Sequence, residues 1–501
     1  MKNLSSNEKQ QQYFNTDHLK ADLKGRSVRG GAITMVAQIA KFGLTLVSNV
    51  VLARLLTPQD YGLVGMVTAV TGFVTLFKDL GLSMATVQKE EINHEQVSTL
   101  FWVNVGLSVV TALITVAIAP IIAEFYHEPR LIWITLVLAS GFIISGLGVQ
   151  HSALLNRQMQ YKVLMFNDVI SAFLGIVAAI IAAFYGLGYW ALVIMPLVVG
   201  VISTVGLWMA CAWRPGFTAR LVGVRSMLAF GGHLTAFSTV NYFARNLDNV
   251  LIGRSWGAQQ LGLYAKAYQL LLLPLNQINA PITRVAIPSL SRLQQEPEKF
   301  RHYYLKAISI VAFLTMPTIT FMIVAAEEII GTLLGSQWQG AVDIFRLLSI
   351  SALVQPICNT TGWLYISTGN TQRMFKWGLF SSSLIVASFF IGLPFQAYGV
   401  ALSYTIAMFL QAAPCIYYAA RGTSITFFDV LKAVKQILIS SVISSALVYA
   451  IKMVISLSIP MWVGLIIYAL VMSSVYVLLM FYIFRQKDLY LNFLSILKKQ
   501  K

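Results

Sequence analysis

Fourteen apolar stretches, each about 20 residues long and separated by polar connections, constrain this chain more than any other feature. They lie near 30–53, 62–80, 98–122, 131–150, 165–185, 188–212, 227–253, 263–287, 304–325, 342–366, 375–395, 398–420, 432–456 and 461–484. With about 1.5 Å of rise per residue, each is long enough to cross roughly 30 Å of hydrocarbon as a helix. Periodicity inside them is weak, as expected where lipid and protein neighbours are both apolar. Only 11% of the 501 residues are charged, against about 25% in soluble domains. A soluble fold would have too little polar surface to stay in water. The expected class is an all-α polytopic membrane protein with 14 transmembrane helices.

The basic residues orient these runs. When the runs alternate across the membrane and residues near run ends are counted with the nearer side, 28 of the 36 Lys and Arg fall on the side of the N-terminus and 5 on the other; Lys41, Arg245 and Arg346 are left within runs. That bias predicts a multi-pass protein with both termini cytoplasmic. The net charge of +17 does not point to nucleic acid, because the basic residues sit in short turns and not on one soluble face. It suits anionic headgroups of membrane lipids. Cys211, Cys358 and Cys415 are an odd number placed in apolar runs, which argues against a disulfide framework or a metal site. The first 29 residues lack the apolar core of a signal peptide. They read as a cytoplasmic tail ending in an amphipathic helix around 17–29.

One stretch occurs twice. Residues 49–63 read NVVLARLLTPQDYGL and residues 249–263 read NVLIGRSWGAQQLGL, a gap-free offset of 200 that pairs Asn49 with Asn249, Arg54 with Arg254, Gln59 with Gln259 and Gly62 with Gly262. Six runs separate the copies, so both face the same way. The expectation is two parallel six-helix repeats plus two C-terminal helices. The domains would be a tail (1–29), an N-terminal lobe (30–212), a basic linker (213–226), a C-terminal lobe (227–420), helices 13 and 14 (421–484) and a second tail (485–501). Within the repeat, Thr57-Pro58-Gln59-Asp60 reads as a helix start with Thr as N-cap, Pro first and Asp third. Gly62 would allow close helix packing.

Catalytic signatures are missing from the sequence. Gly335 to Gly340 has the glycine spacing of a phosphate loop, but Ala341-Val342 follows where Lys-Ser/Thr is needed. There is no HExxH and no apparent pair of catalytic carboxylates, and no cofactor or metal is expected. What remains are polar residues inside the apolar runs, expensive there and informative for that reason. Thr34, Gln38, Lys41, Thr45, Ser48 and Asn49 recur at steps of three or four and share one face of the first helix. Ser238, Asn241, Arg245, Asp248 and Asn249 repeat the pattern in the seventh, and the offset of 200 places Asn241 on Lys41, Arg245 on Thr45, Asp248 on Ser48 and Asn249 on Asn49. Two such faces would line one polar cavity between the halves. Arg245 and Asp248 would offset each other at i,i+3, whereas Lys41 has no local partner. Arg346 has Asp343 at i−3, equally consistent with a structural pair and a cavity role. Lys78 and Arg284 lie toward cytoplasmic helix ends, suited to inside-positive anchoring and to first contact with an anionic substrate. Asp168 reads as a helix-N-terminal acid, and Arg54, Arg254 and Lys266 as residues near helix ends.

At these residues the chain resembles the Wzx-type polysaccharide flippases, in the branch that exports colanic-acid-like polysaccharides. The resembling segments are VRGGAITMVAQIAKFGLTLVSNVVLARLLTPQDYGLVGM from Val28, KDLGLSMATVQKEEI from Lys78, HSALLNRQMQYK from His151, NLDNVLIGRSWGAQQLGLYAKAYQLLLLP from Asn246 and NTTGWLYISTGNTQR from Asn359. The resemblance covers roughly residues 20–430. It implies the superfamily of MATE drug exporters and lipid II flippases, two six-helix lobes around a cationic cavity, and alternating access. It implies an undecaprenyl-pyrophosphate-linked oligosaccharide as substrate, moved to the periplasmic leaflet of the bacterial inner membrane, with polysaccharide polymerase and export machinery as partners. In lipid II flippases two extra helices form a groove for the lipid tail, which sets an expectation for helices 13 and 14. Two readings compete with a flippase: a MATE-type small-molecule exporter, disfavoured by the surplus of Lys and Arg, and a membrane-embedded glycosyltransferase or polymerase, disfavoured by short outer connections.

Overall fold

The computed structural model describes residues 13–14, 23–75, 82–89, 92–216, 225–454 and 460–484, and every regular element among them is helical. In chain order these are α1 (Leu23–Leu55), α2 (Pro58–Thr75), α3 (Leu82–Gln88), α4 (His94–Tyr126), α5 (Arg130–Gly146), α6 (Val149–Arg157), α7 (Tyr161–Phe184), α8 (Trp190–Ala210), α9 (Arg225–Arg292), α10 (Pro297–Val324), α11 (Ala326–Leu333), α12 (Val342–Ser351), α13 (Gln355–Ser367), α14 (Thr371–Gly392), α15 (Gln396–Ala420), α16 (Phe427–Val454) and α17 (Met461–Leu478). α1 is one continuous helix of 33 residues, so from Leu23 onward the expected amphipathic segment is the first turns of the helix that continues into the candidate span Ile33–Leu55. Residues 17–22 lie outside the described residues.

Local chemistry sets the boundaries. α2 starts where Pro58 cannot extend α1, and the exposed amides are capped reciprocally. Thr57 N and Oγ1 donate to Asp60 Oδ2 at 2.9 and 2.7 Å, and Asp60 N donates to Thr57 Oγ1 at 3.3 Å. Thr426 and Asp429 repeat this box at the start of α16. Asn93 and Gln96 cap α4, which ends where His127 adopts the left-handed conformation. α9 is two helices joined at Gly257, whose φ of 78° and ψ of −177° are open to glycine. The break in the second copy of the repeat therefore falls 200 residues after Thr57, where the first copy breaks.

The chain divides into two compact units, Met1–Gln259 and Gln260–Lys501; the first arm of α9 belongs with the helices before it. In the first unit α7 packs on α8 and α1, and α4 on α5. One apolar core gathers Leu52, Leu56, Ala179, Ala183 and Ala191. A second holds Phe101, Leu154, Leu207 and Trp213 and takes in Tyr13 and Phe14 of the tail. In the second unit α10 packs on α16, α14 on α15, and α12 on α15. α16 meets α10 at buried Ser441, whose carbonyl accepts from Thr320 Oγ1 at 3.4 Å, and its buried Ser440 and Ser445 hydroxyls lie 3.4 and 3.7 Å from Met480 and Met472 Sδ. Lys452 ties the far end of α16 to Glu327 and Glu328 at 3.5 and 2.7 Å. The helices read as appended are thus packed into the second unit.

Among the described residues nine helical segments are long and apolar enough to cross a membrane, or ten if the pair bent by 41° over Ser336–Ser351 and Gln355–Ser367 is one span. One of the nine, Thr371–Ala420, holds 50 residues, about twice what one crossing takes. It contains α14 and α15, packed together after a short turn at Leu393–Phe395, with an added Cβ on Gly392 only 2.3 Å from Gly399 O. Large side chains such as Phe184, Met209 and Ile391 are 71–81% exposed. In water that surface would aggregate; facing lipid it costs nothing. The protein is a multi-pass helical membrane protein.

Candidate functional site on the first helix

The face of α1 expected from the sequence is present but sorted. Thr34 and Thr45 hydroxyls donate to Gly30 O and Lys41 O, each at 2.8 Å, and Asn49 Nδ2 donates to Thr45 O at 2.9 Å. These side chains fold back on their own helix, as short polar groups do. Lys41 and Thr45 are exposed and Asn49 half-buried. Ser48 turns inward, 7% exposed, with Oγ 3.9 Å from Met195 Sδ on α8.

Lys41 has a partner that local spacing does not reveal. Its Nζ lies 3.4 Å from Asp168 Oδ2, with side chains 48% and 43% exposed. Asp168 is no N-terminal acid either: α7 begins at Tyr161, and its first turn holds none. Where water reaches it, an ion pair this exposed stabilises a fold by only about 0–1 kcal/mol. It gives Lys41 a counter-charge and leaves it open to competition.

Of the second polar face, Asp248 and Asn249 are described. Asn241 and Arg245 lie on α9, but their side chains fall outside the described residues. Asp248 is 5% exposed and accepts from Asn249 N at 2.8 Å. The arm is held by Tyr242, whose hydroxyl donates to Thr68 O and Ala69 O at 2.9 and 3.0 Å and fills the space beside Gly72. Arg346 pairs with Asp343 at 2.7 Å, the partner its i−3 spacing implied. Arg284 is exposed, and Lys78 lies outside the described residues. Arg254 sits over the Phe125 ring, 5.5 Å from its centroid. Lys266, read as an end-of-helix residue, is 2% exposed.

The repeated stretch is a contact between its own copies. A Cβ on Gly62 would stand 1.7 Å from Ala258 O, so α2 meets the break in α9 backbone to backbone.

The profile of the polysaccharide biosynthesis protein family matches residues 51–343, more than half of the chain. The chain belongs to that family. Among its relatives, the lipopolysaccharide biosynthesis protein WzxC of Escherichia coli (strain K12) is 26% identical over 372 residues, 74% of this chain and 76% of the relative. The teichuronic acid biosynthesis protein TuaB of Bacillus subtilis (strain 168) is 27% identical over 364 residues, 72% and 74% of the two chains. Among solved structures, the lipid II flippase MurJ in an inward closed conformation superposes with a TM-score of 0.71, at 15% identity, over 91% of this chain and 99% of that one. An inward-facing MATE family multidrug transporter gives 0.60 at 14% identity over 76% and 93%. At such identities the likeness is one of fold. The resemblance to Wzx-type proteins read from the sequence is borne out.

The structure also shows what the family-like segment from His151 does. It forms α6 and the turn into α7, and it braces one end of the first unit. His151 is buried and stacks on Trp208 at 4.4 Å, with Phe101 and Trp213 edge-on. Arg157 Nη1 donates to Thr86 O at 3.2 Å and to Lys89 O, and its Nη2 donates to Phe14 O at 3.5 Å. Gln158 Nε2 donates to Tyr13 O at 2.9 Å, and the Tyr13 hydroxyl accepts from Ala212 N at 3.2 Å. The segment from Asn359 plays a similar part in the second unit: Trp363 Nε1 donates to Thr283 Oγ1 and Thr360 meets the Tyr304 hydroxyl, both at 3.2 Å. These motifs are scaffold. Asp168 is the residue whose partner the sequence reading as a helix-N-terminal acid did not foresee, and the signal was available: an acid inside an apolar run needs a partner.

Proposed function

We propose that this chain is a flippase that carries an undecaprenyl-pyrophosphate-linked oligosaccharide repeat unit across the bacterial inner membrane, for exopolysaccharide or lipopolysaccharide biosynthesis. The observation that carries this reading is the likeness to WzxC across about three quarters of both chains, together with a fold shared with a lipid II flippase. The work is transport and not bond chemistry, by alternating exposure of a bound headgroup to the two faces. In this reading the chain has fourteen spans: the nine segments, the division of Thr371–Ala420 into two, the bent pair, α2 and the two arms of α9. They form two parallel repeats plus α16 and α17, with both termini cytoplasmic.

Lys41 binds the pyrophosphate through charge-assisted hydrogen bonds, with Thr45 and Asn49 beside it and the polyprenyl tail left in lipid. Arg245 and Asn241, on the helix at the equivalent repeat position, complete the polar path with Asn249. Lys78 and Arg284 make first contact on the cytoplasmic side. Ser48 and Asp248, both buried, shape the path without lining it, and Arg346 stays with Asp343.

The test is reconstitution. Purified protein goes into vesicles carrying labelled lipid-linked oligosaccharide on one face, and an impermeant sugar-modifying reagent reports arrival on the other. The expected result is protein-dependent transfer that the Lys41→Ala, Arg245→Ala double variant loses while still reaching the membrane. Transfer no faster than in protein-free vesicles overturns the function. Full transfer by the double variant overturns the site.

A further inference from the structure

An anion-binding face that places a carboxylate against its own exposed lysine calls for explanation. Asp168 lies seven residues past the start of α7, beyond the reach of the helix N-terminus. It is on no buried network: its side chain is 43% exposed and meets Lys41 Nζ at 3.4 Å across the α1–α7 packing. The other helices packed on α7 offer nothing that competes. α8 carries no charged residue between Trp190 and Ala210, and α6 contributes Arg157, engaged with backbone carbonyls at its own end.

We propose that Asp168 is a surrogate ligand for Lys41: it holds the lysine while the site is empty and yields it to the substrate's pyrophosphate. Asp168 thereby sets how tightly the headgroup is held and how readily it leaves. This rests on the reading of Lys41 as a pyrophosphate ligand. The physical argument is a comparison of two anions. A carboxylate offers one negative charge at an exposed pair that is cheap to open. A pyrophosphate offers charge on two adjacent phosphates and more acceptor oxygens for the same ammonium, so it displaces Asp168 on arrival. Once displaced, Asp168 remains a like charge beside the phosphate and a competitor for the lysine. Both effects favour release, and translocation needs a site that binds well enough to load and loosely enough to empty. Asp168 is a positioning residue here; it touches the ligand's partner and not the ligand.

The experiment measures binding of inorganic pyrophosphate to the full chain in lipid nanodiscs, and headgroup transfer in vesicles, at fixed ionic strength. Asp168→Asn keeps the shape and removes the charge; it is expected to bind pyrophosphate about three- to tenfold more tightly, the scale of losing an exposed ion pair and a like charge, and to transfer more slowly at saturation. Asp168→Glu reaches Lys41 with a longer arm and is expected to weaken binding about two- to threefold on the same scale. It retains the charge, so it tests the proposal even where Asp168→Asn folds poorly. Lys41→Met is expected to lose binding, and Asp168→Asn added to it to restore none. Affinities that fail to order as Asn above wild type above Glu, with Lys41→Met still weakened, overturn the role of Asp168 and leave the flippase standing. A wild-type chain that binds no pyrophosphate, with Lys41→Met transferring at full rate, overturns the Lys41 reading beneath it.

Discussion

Gly62→Ala is a perturbation whose sign, more than its size, tests the structure. Gly62 is the fifth residue of α2, and in an unencumbered helix replacing Gly by Ala stabilises by up to about 1 kcal/mol. Here the new methyl would stand 1.7 Å from Ala258 O, 2.4 Å from its carbonyl carbon and 2.8 Å from its Cα. Ordinary contacts begin near 3.4 Å, so one backbone must retreat by more than 1 Å. Neither partner is a flexible side chain. Ala258 follows Gly257, the break in α9, so retreat means separating α2 from that break. Overpacking of this kind costs about 1–3 kcal/mol, which outweighs the propensity gain, and the variant is expected to melt below wild type. The matched control is Gly106→Ala in α4, where nothing lies within 4 Å of the added Cβ and the propensity gain stands alone. Thermal unfolding in detergent, followed by size-exclusion of the fluorescently tagged protein, compares the three. If Gly62→Ala melts at or above wild type alongside Gly106→Ala, the backbone contact between the two copies of the repeat is wrong.

Arg157→Lys is expected to lower the melting temperature: an ammonium cannot fork between the carbonyls of Thr86, Lys89 and Phe14, a loss of about 2 kcal/mol for buried charged hydrogen bonds. Tyr13→Ala removes the hydroxyl that accepts from Ala212 and the ring packed beside Trp213, so limited proteolysis should cut the first 22 residues faster than in wild type. Ser444→Leu puts a large side chain where Ser444 is fully buried on α16 and should destabilise by about 1–3 kcal/mol, whereas Val442→Leu, 51% exposed on the same helix, should leave melting unchanged.

The helices were legible in the sequence wherever a single residue's chemistry fixes the backbone. The Thr57–Asp60 box formed as its spacing implies, and Gly62 packs as closely as a residue without a Cβ permits. The span count was less direct, for a physical reason. The two arms of α9 fall short of a simple length-and-hydropathy criterion. α9 carries Arg245, Asp248, Arg254 and Lys266, which lower its mean hydropathy. The candidate site was half legible. Helical spacing puts Lys41, Thr45 and Asn49 on one face, but it says nothing about a partner 127 residues away. It also says nothing about which edge of that face turns inward, as Ser48 does toward Met195. Pattern within a helix gives orientation; only packing between helices gives partners.

The two copies of the repeat reach one geometry by different chemistry. In the first, Thr57, Pro58 and Asp60 stop α1 and restart the chain as α2, through a missing donor and a reciprocal cap. In the second, Gly257 bends α9 by adopting φ 78° and ψ −177°, a region costing about 1–3 kcal/mol for other residues. What the copies share is the place of the break. That predicts a contrast between neighbouring glycines. Nothing lies within 4 Å of a Cβ on Gly257, so Gly257→Ala meets no steric clash and its cost is conformational alone. Gly62→Ala suffers a clash with no strain in its own backbone. Freeing the partner's backbone can relieve the second and not the first: Ala258→Gly, which clears no carbonyl but lets the backbone at 258 shift, should recover part of the loss in Gly62→Ala and none of it in Gly257→Ala. Equal recovery in both would mean that the break and the contact are one strained unit, and that the repeated stretch is a hinge rather than a brace.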